Sequence, residues 1–253
     1  MRLKNKVALI TGGGSGIGEA VGHGFAAEGA TVVIAEIDTP RGLAVEAAIK
    51  EQGGSARFIE TDMASTDSVD AAVNSAAGEF GHIDILFNNA AVQLHGQDAR
   101  THEVPEDVWD RTIDINLKGM WRAARAVIPH MLEQGGGSII NVASPTGMLG
   151  AAPGYSAYST SKGGVFGLTR VAAAEYARDN IRINAIVPGA THTPLTEAIF
   201  SDDDVRAGFE QSTPMGRLGK AEDLVGIGLF LATEDSAYCT GGVYMADGGL
   251  TAV

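Results

Sequence analysis

The sequence predicts a single α/β domain, with a doubly wound parallel sheet of about seven strands and helices on both faces. Three observations lead to this prediction. Short apolar runs alternate with longer helix-like stretches along all 253 residues, no Pro/Ser-rich linker or charge run interrupts the alternation, and no short repeat is present. Strand, helix and strand in succession give parallel strands joined by right-handed crossovers. We therefore expect one domain that spans residues 1–253.

Each element follows from its local pattern. The apolar runs predicted as strands cover residues 7–11, 31–36, 56–60, 83–88, 138–144, 181–187 and 243–247. Ala, Glu, Leu and Arg at helical spacing predict helices between them, for example at 17–29, 66–80, 106–133 and 158–178. The interval 190–219 breaks this rhythm with two prolines and three consecutive aspartates, and we expect a substrate lid there.

The composition argues against several classes of function. A formal net charge of −13 has the wrong sign for binding nucleic acid or an anionic membrane surface. The single cysteine, Cys239, permits no internal disulfide, which fits a reducing compartment. The apolar runs are too short for a signal sequence or a membrane span, so we expect a cytoplasmic protein. The six histidines lack an HExxH pattern, and we expect no metal site.

A glycine-rich turn follows the first strand directly. TGGGSGIG at 11–18 places Gly12, Gly16 and Gly18 where a strand runs into a helix, so backbone N–H groups can approach a pyrophosphate at the helix N-terminus. Glu36 ends the second strand, at about the distance where an acidic residue binds the ribose hydroxyls of NAD. The alternatives are an ordinary tight turn and a solvated charge.

A tyrosine and a lysine stand four residues apart in YSTSK, at the start of a predicted helix. Tyr158 and Lys162 therefore lie on one face, one turn apart. An ammonium group nearby lowers the pKa of a phenol, which makes the pair a candidate proton donor and acceptor. Taken alone, such a pair is common on helix surfaces. Tyr155 lacks this partner, since Ser159 stands four residues after it.

Together these motifs resemble the classical short-chain dehydrogenases/reductases. The resemblance includes TGGGSGIG at 11–18, NNAA at 88–91, NVAS at 141–144 and YSTSK at 158–162, and is extended by DINLKG around Asn116, PGATHT at 188–193 and DGG at 247–249. It covers essentially the whole chain. It implies a Rossmann-type fold, a nicotinamide cofactor and a homotetramer.

The resemblance also implies roles for four residues in catalysis. Tyr158 would protonate the carbonyl oxygen in reduction or deprotonate the alcohol in oxidation, and Lys162 would lower its pKa and hold the nicotinamide ribose. Ser144 would bind the substrate oxygen, and Asn116 would hold a water that links Lys162 to solvent.

The resemblance further implies a set of cofactor-binding residues. Asp62 and the backbone of Met63 would meet the adenine, Asn89 and Ala90 would lie along the adenosine ribose, and Thr193 would bind the carboxamide. The full set is Gly12, Ser15, Gly16, Ile17, Gly18, Glu36, Asp62, Met63, Asn89, Ala90, Tyr158, Lys162, Pro188, Gly189, Thr191 and Thr193.

The sequence departs from the family pattern in two places. Ala91 stands where the family usually has glycine, so the backbone of that motif is expected to shift slightly. The interval from Ser144 to Tyr158 is one residue longer than in many members, and Pro145 follows the serine directly. An extra residue in the intervening loop accommodates the longer interval most easily.

We therefore expect an NAD-dependent enzyme that interconverts secondary alcohols and ketones. Glu36 disfavours the 2′-phosphate of NADP, and Arg41 is interpreted as a solvated residue of the following helix. The alternatives are a non-catalytic NAD-binding sensor and a double-bond (enoyl-type) reductase. A mainly apolar substrate pocket favours a cyclic or aryl alcohol over a sugar, with expected walls Gln93, Leu94, His95, Pro145, Met148, Tyr155, His192, Leu195, Phe200 and Met215.

Overall fold

The computed structural model describes residues 1–150 and 152–253. A seven-stranded sheet runs through their centre in the order β3-β2-β1-β4-β5-β6-β9, and every neighbouring pair is parallel. A separate two-stranded sheet pairs β7 with β8. The strands are β1 (Val7–Thr11), β2 (Thr31–Glu36), β3 (Ser55–Glu60), β4 (Ile85–Asn88), β5 (Gly137–Val142), β6 (Ile181–Pro188), β7 (Thr191–His192), β8 (Gly219–Lys220) and β9 (Val243–Ala246). The predicted doubly wound parallel sheet is confirmed.

Helices cover both faces of the sheet, and a buried apolar layer lies on each side. One face packs Phe25, Ile49 and Leu231 against the strands, while the other packs Val73 and Val127. The helices are α1 (Gly16–Ala27), α2 (Thr39–Glu51), α3 (Thr66–Phe80), α4 (Glu106–Ile113), α5 (Met120–Gln134), α6 (Ser156–Tyr176), α7 (Glu197–Phe200), α8 (Asp203–Ser212) and α9 (Val225–Ala232). No helix in the described part of the chain is long and apolar enough to cross a membrane.

The strand register brings the predicted motifs to one edge of the sheet. Thr11, at the end of β1, is paired with Ala35 of β2 on one side and with Asn88 of β4 on the other. The chain winds in opposite directions on the two sides of β1, and such a reversal opens a crevice at the carboxyl ends of the strands. The glycine turn, Glu36 and the NNAA segment therefore meet there.

Two predicted segments have a different internal structure. The helix predicted at 106–133 is divided into α4 and α5 by a π-helical segment, Asp114–Gly119, which contains Asn116. The predicted lid at 190–219 contains α7 and α8, and the pairing of β7 with β8 brings its two ends together. The strand predicted at 138–144 ends at Val142, so Ser144 lies beyond it.

Candidate active site

A cavity of about 420 Å³ lies at the carboxyl ends of β1, β2 and β4. The glycine turn, the ends of the strands and the start of the predicted lid form its wall. The lining residues are Gly12, Ser15, Gly16, Ile17, Ala35, Glu36, Ile37, Arg41, Thr61, Asp62, Met63, Asn89, Ala90, Ala91, Val92, Arg111, Ile115, Thr193, Pro194 and Leu195. Most of the residues predicted to bind a cofactor are therefore brought together in one wall.

The glycine turn can adopt its shape because its key residues have no side chain. Gly12 and Gly16 have φ of 64° and 56°, a region that favours glycine. A Cβ at Gly12 would lie 2.8 Å from the Cα of Ala90, and one at Gly18 would collide with the carbonyl oxygen of Gly12. Gly18 therefore allows α1 to pack closely against the turn, while Ser15 and Gly16 face the cavity at the start of the helix.

Glu36 connects the end of β2 to the glycine turn. Its Oε2 accepts a hydrogen bond of 3.1 Å from the Gly14 amide, and its Oε1 accepts from the amides of Ile37 and Asp38 at 2.9 and 3.0 Å. A carboxylate has about four acceptor positions, so one remains available to a ligand. Arg41 belongs to the same cavity wall, with its Nε 3.3 Å from Oδ2 of Asp38. Arg41 is exposed on α2, as expected, and the first turn of that helix also borders the cavity.

The residues after β4 hold the turn from the other side. The amide nitrogen of the Asn89 side chain donates to the carbonyl oxygens of Thr11 and Gly12, at 3.3 and 3.0 Å. The Thr11 hydroxyl oxygen accepts hydrogen bonds from the backbone N–H groups of Asn89 and Ala90. The side chain of Asn89 thus supports the backbone of the turn, while Ala90 and Ala91 complete the wall.

The wall near Asp62 and Met63 is held by a buried arginine that the sequence analysis missed. Arg122 Nη1 donates to the carbonyl oxygens of Met63 and Asp114, both at 3.0 Å, and its Nη2 lies 2.8 Å from Oδ1 of Asp114. One oxygen of Asp62 accepts from the Ala64 amide at 2.9 Å. Arg122 fixes the loop after β3 to the π-helical segment that carries Asn116.

Tyr158 and Lys162 lie on one face of α6, as their spacing predicted. Both side chains are buried. Lys162 Nζ lies 5.9 Å from the centroid of the Tyr158 ring and donates a 2.8 Å hydrogen bond to the carbonyl oxygen of Val142. Ser144 lies just beyond the end of β5, where its Oγ is 3.0 Å from the Thr146 hydroxyl. A short helical turn, Pro145–Gly147, follows the serine directly.

Burial shifts the two pKa values in opposite directions. It raises the pKa of Tyr158 to about 12, and the nearby Ser144 hydroxyl opposes this rise. It lowers the pKa of Lys162 to about 8 because an ammonium ion is poorly solvated there. Burial therefore sets the direction of the Tyr158 pKa shift, and the lowering expected from Lys162 is not among its causes here.

Asn116 joins the cavity wall to the helix of Tyr158. Its Oδ1 accepts from the Val92 amide at 2.8 Å, and its Nδ2 donates to the Val92 carbonyl oxygen at 2.9 Å and to Ser161 Oγ at 3.1 Å. Ser161 in turn donates to the carbonyl oxygen of Tyr158 at 2.7 Å. The side chain of Asn116 is fully buried and bonded to protein groups, so it connects two elements instead of presenting its amide to solvent water.

The comparison with known proteins identifies this arrangement. A family model described as an enoyl-(acyl carrier protein) reductase matches residues 12–251. The chain belongs to the short-chain dehydrogenase/reductase family. It is therefore an oxidoreductase, as the resemblance of its motifs predicted, and its relatives include both dehydrogenases and reductases.

Three members of the family illustrate the range of their activities. The chain is 39% identical to the 3-oxoacyl-[acyl-carrier-protein] reductase FabG of Thermotoga maritima, covering 99% of both chains. It is 38% identical to the cis-4-hydroxycyclohexanecarboxylate dehydrogenase of Sinomonas cyclohexanicum, covering 98% of this chain and 97% of the relative. A crystal structure described as an NAD(P)-dependent gluconate 5-dehydrogenase of Beutenbergia cavernae, with NADP at low occupancy, has a TM-score of 0.94 at 34% identity and covers 99% and 98% of the two chains.

The cofactor-binding residues that the family resemblance predicts after β6 do not all line the same cavity. Thr193 lines the cavity with the glycine turn, whereas Gly189 and Thr191 line a second cavity of about 510 Å³ beside β9. Pro188 is buried at the end of β6. The Thr191 hydroxyl donates to the Gly189 carbonyl oxygen at 3.1 Å. Of these four residues, only Thr193 lines the wall of the proposed cofactor site.

The expected substrate side contains a chain of hydrogen bonds through a histidine. His95 Nδ1 lies 3.0 Å from the Tyr155 hydroxyl, and His95 Nε2 lies 3.0 Å from the carbonyl oxygen of Leu195 at the start of the predicted lid. Burial and the Asp98 carboxylate raise the pKa of Tyr155. Tyr155 thus contacts the lid through His95, and Ser159 instead of a lysine stands one turn after it, which distinguishes it from Tyr158.

Other expected wall residues differ in exposure. Met148 and Met215 are exposed. Phe200 is buried in the predicted lid, with its ring edge-to-face against both His192 and Phe209. The ring of Phe200 therefore packs inside the lid itself.

Proposed function

We propose that this protein transfers a hydride between NAD and a secondary alcohol or ketone, with Tyr158 as the acid or base. The observation that carries the proposal is the buried Tyr158, with Lys162 one turn away on α6 and Ser144 just beyond the end of β5. Asn116 and Ser161 connect this group to the wall of the cavity that contains the glycine turn.

The residues in the cavity wall fit a dinucleotide. Gly12 and Gly16 leave backbone exposed at the start of α1, where a helix N-terminus favours a pyrophosphate. Glu36 has one acceptor position left for a ribose hydroxyl. Asp62 and Met63 would border the adenine, and Thr193 would contact the carboxamide.

We propose NAD over NADP because of charge. A 2′-phosphate beside Glu36 would bring about two negative charges against a carboxylate. Arg41 is the cation best placed to compensate, and its guanidinium is paired with Asp38 at 3.3 Å. The structural relative described as a gluconate 5-dehydrogenase was solved with bound NADP, and parallel kinetics with both cofactors test the preference proposed for this chain.

In ketone reduction, Tyr158 donates its proton to the carbonyl oxygen. A phenol whose pKa is about 12 holds that proton at neutral pH, so Tyr158 is ready to act as the acid. When bound, NADH supplies the hydride to the carbonyl carbon. Ser144 would hold the carbonyl oxygen near the phenol, and the product is the secondary alcohol. In oxidation Tyr158 must first lose its proton and then accept the proton of the alcohol.

Lys162 is suited to hold the cofactor ribose. An ammonium group has three donors, and one of them is bonded to the Val142 carbonyl oxygen at 2.8 Å. Two donors remain for the ribose hydroxyls and for the tyrosinate that forms when Tyr158 gives up its proton. Positive charge at Lys162 stabilises that anion.

A double-bond reductase is the second candidate, since the matching family model carries an enoyl reductase description. Ser144, close enough to lower the pKa of the Tyr158 phenol, favours carbonyl chemistry, because that serine would orient a substrate oxygen. An NAD sensor without turnover has no use for either residue.

A panel of substrates distinguishes these three candidate functions. The chain is assayed for NADH formation with cyclic and aryl secondary alcohols and with sugars, and for NADH consumption with the matching ketones and with enoyl thioesters. We expect turnover of a cyclic or aryl alcohol. Turnover of enoyl thioesters alone would establish the double-bond reductase, and NADH binding without turnover of any of these substrates would support the sensor.

A further inference from the structure

The start of α6 is capped by a loop from elsewhere in the chain. The first N–H groups of a helix have no partner within it, and Tyr155, the residue before α6, makes no side-chain capping hydrogen bond. The Ser156 amide donates to the Ala99 carbonyl oxygen at 3.3 Å. The amides of Ala157 and Tyr158 donate to Oδ1 and Oδ2 of Asp98, at 3.1 and 2.9 Å.

Asp98 is held firmly in this position. Its side chain is buried with the residue only 9% exposed, and Oδ1 also accepts from the Ala99 amide at 2.8 Å. A buried carboxylate is costly unless it is hydrogen-bonded, and a helix N-terminus stabilises negative charge. These three N–H donors and the dipole of α6 together satisfy the carboxylate, so Asp98 and the helix start fix one another.

The contact bears directly on the tyrosine of the proposed site. Asp98 binds the main-chain nitrogen of Tyr158, and Ser161 donates to the main-chain carbonyl oxygen of the same residue at 2.7 Å. The direction of the tyrosine side chain depends on this backbone. Displacement of the helix start would therefore move the phenol relative to Ser144.

We propose that Asp98 is a positioning residue that sets the location of the Tyr158 hydroxyl for proton transfer. The inference rests on the proposed role of Tyr158 as the acid or base. Asp98 acts through the backbone of α6 and does not itself contact the reacting atoms. Misplacement of a reacting group by about 1 Å can cost about a hundredfold in rate, so loss of this cap should appear mainly in kcat.

The test compares Asp98→Asn and Asp98→Ala with the parent chain. Asparagine has the same shape as aspartate but only one acceptor oxygen, whereas the N–H groups at this position bind two oxygens in the parent chain. We expect kcat to fall about tenfold or more in both variants. The Kd of NADH, measured by its fluorescence, should stay at the parent value because the cavity wall is unchanged. If Asp98→Ala does not fold, the isosteric asparagine variant decides the question.

Asp84→Asn is the matched control. Asp84 also accepts a main-chain hydrogen bond, from the Val7 amide at 2.8 Å, but it lies just before β4, at the opposite end of the sheet from the site. We expect this variant to lose thermal stability without losing kcat. Equal kcat values for Asp98→Asn, Asp84→Asn and the parent, at a temperature where circular dichroism shows all three folded, would overturn the proposal.

Tyr158→Phe in the same assay separates the two hypotheses. If that variant keeps its activity, the role proposed for Tyr158 is wrong, whatever the asparagine variant does. If Tyr158→Phe is inactive while Asp98→Asn keeps the parent kcat, only the positioning role fails. A fall in kcat for both, with NADH binding intact, supports both assignments.

Discussion

The ammonium nitrogen of Lys162 lies 5.9 Å from the centroid of the Tyr158 ring, one helical turn away, and its hydrogen bond goes to the backbone of β5. Both groups are buried, so each is shifted toward its neutral form. The phenol, with a pKa of about 12, is protonated at neutral pH, while Lys162, with a pKa of about 8, is close to the point where it loses its charge.

The pH dependence should differ between the two directions of reaction. Oxidation needs the deprotonated phenol, whose pKa is about 12, so kcat/KM for an alcohol should still be rising at the upper end of an interval of about pH 6 to 9, whereas ketone reduction needs the proton and should not rise. Above about pH 8 the KM for NAD should increase as Lys162 loses its charge. Steady-state kinetics in both directions over this range checks the prediction, and an alcohol oxidation rate independent of pH would contradict it.

Replacing Lys162 by methionine should abolish turnover and weaken NADH binding while raising the thermal stability at neutral pH. The ammonium group is buried, with the residue only 2% exposed, and an apolar side chain of similar length removes its desolvation cost. The folded-state pKa lies below the ordinary value of 10.5, so the parent chain carries this cost below about pH 8 and is relieved of it as the pH rises toward 10.5.

Melting curves of the Lys162→Met variant and the parent chain test that prediction. The advantage of the variant in Tm should shrink as the pH increases through this interval. A variant that is less stable than the parent at pH 7 would show that the ammonium group contributes net stability.

Tyr158→Phe should lower kcat by at least about a hundredfold, because it removes the hydroxyl that transfers the proton. The binding of NADH should survive, since the glycine turn and Glu36 are untouched. Tyr176→Phe is the control, since Tyr176 is the last residue of the same helix and lies five turns from the site. Activity of the Tyr158 variant within about threefold of the parent would rule out the assignment.

The preference for NAD over NADP should depend on two neighbouring carboxylates, and each should act for a different physical reason. The parent chain should favour NAD over NADP by about a hundredfold in kcat/KM, since a few kcal/mol of repulsion at Glu36 corresponds to that ratio. Glu36→Ala should reduce the ratio by removing the repulsion. Asp38→Asn should also reduce it, by releasing Arg41 from its ion pair, and Arg41→Ala should increase it.

Parallel measurements of kcat/KM with both cofactors in the parent and the three variants check these directions. Equal efficiency with NAD and NADP in the parent would show that Glu36 does not select the cofactor.

We also predict a homotetramer, which the exposed apolar side chains on α5 and α6 favour. Trp121, Leu132 and Val171 are 43%, 42% and 53% exposed on these two helices. Light scattering should give four times the chain mass of 26.1 kDa. Val171→Glu should weaken the assembly, whereas Leu43→Glu, an equally exposed position on α2, should leave it intact. A monomer at micromolar concentration would contradict the prediction.

The features that were predictable from sequence are those specified by short spacings. The glycine turn and the Tyr158 to Lys162 interval follow from local geometry, and the alternation of strands and helices defines the sheet. The roles of Asp98 and Arg122 could not be predicted, because each side chain binds backbone groups far away in the chain and nothing in the neighbouring sequence indicates such partners. The place of Arg41 in the cavity wall could not be predicted for the same reason, since it depends on how α2 crosses the end of β2.

The π-helical break near Asn116 could not be predicted from the sequence either. The residues DINLKG fit the helical pattern of the segments before and after them, and the π-helical geometry changes only the hydrogen-bond spacing of the backbone. Composition carries no signal for that change, so a single helix at 106–133 was the natural prediction.

The strand order has a consequence for synthesis on the ribosome. β1 is made first and lies inside the sheet, β2 and β3 then extend one side in turn, and β4, β5, β6 and β9 extend the other. Every strand that emerges therefore finds its neighbour already present, and no strand has to be inserted between two that have paired. A nascent chain of this topology can enlarge its sheet outward in the order of translation, completing the glycine turn and Glu36 long before Tyr158 leaves the exit tunnel.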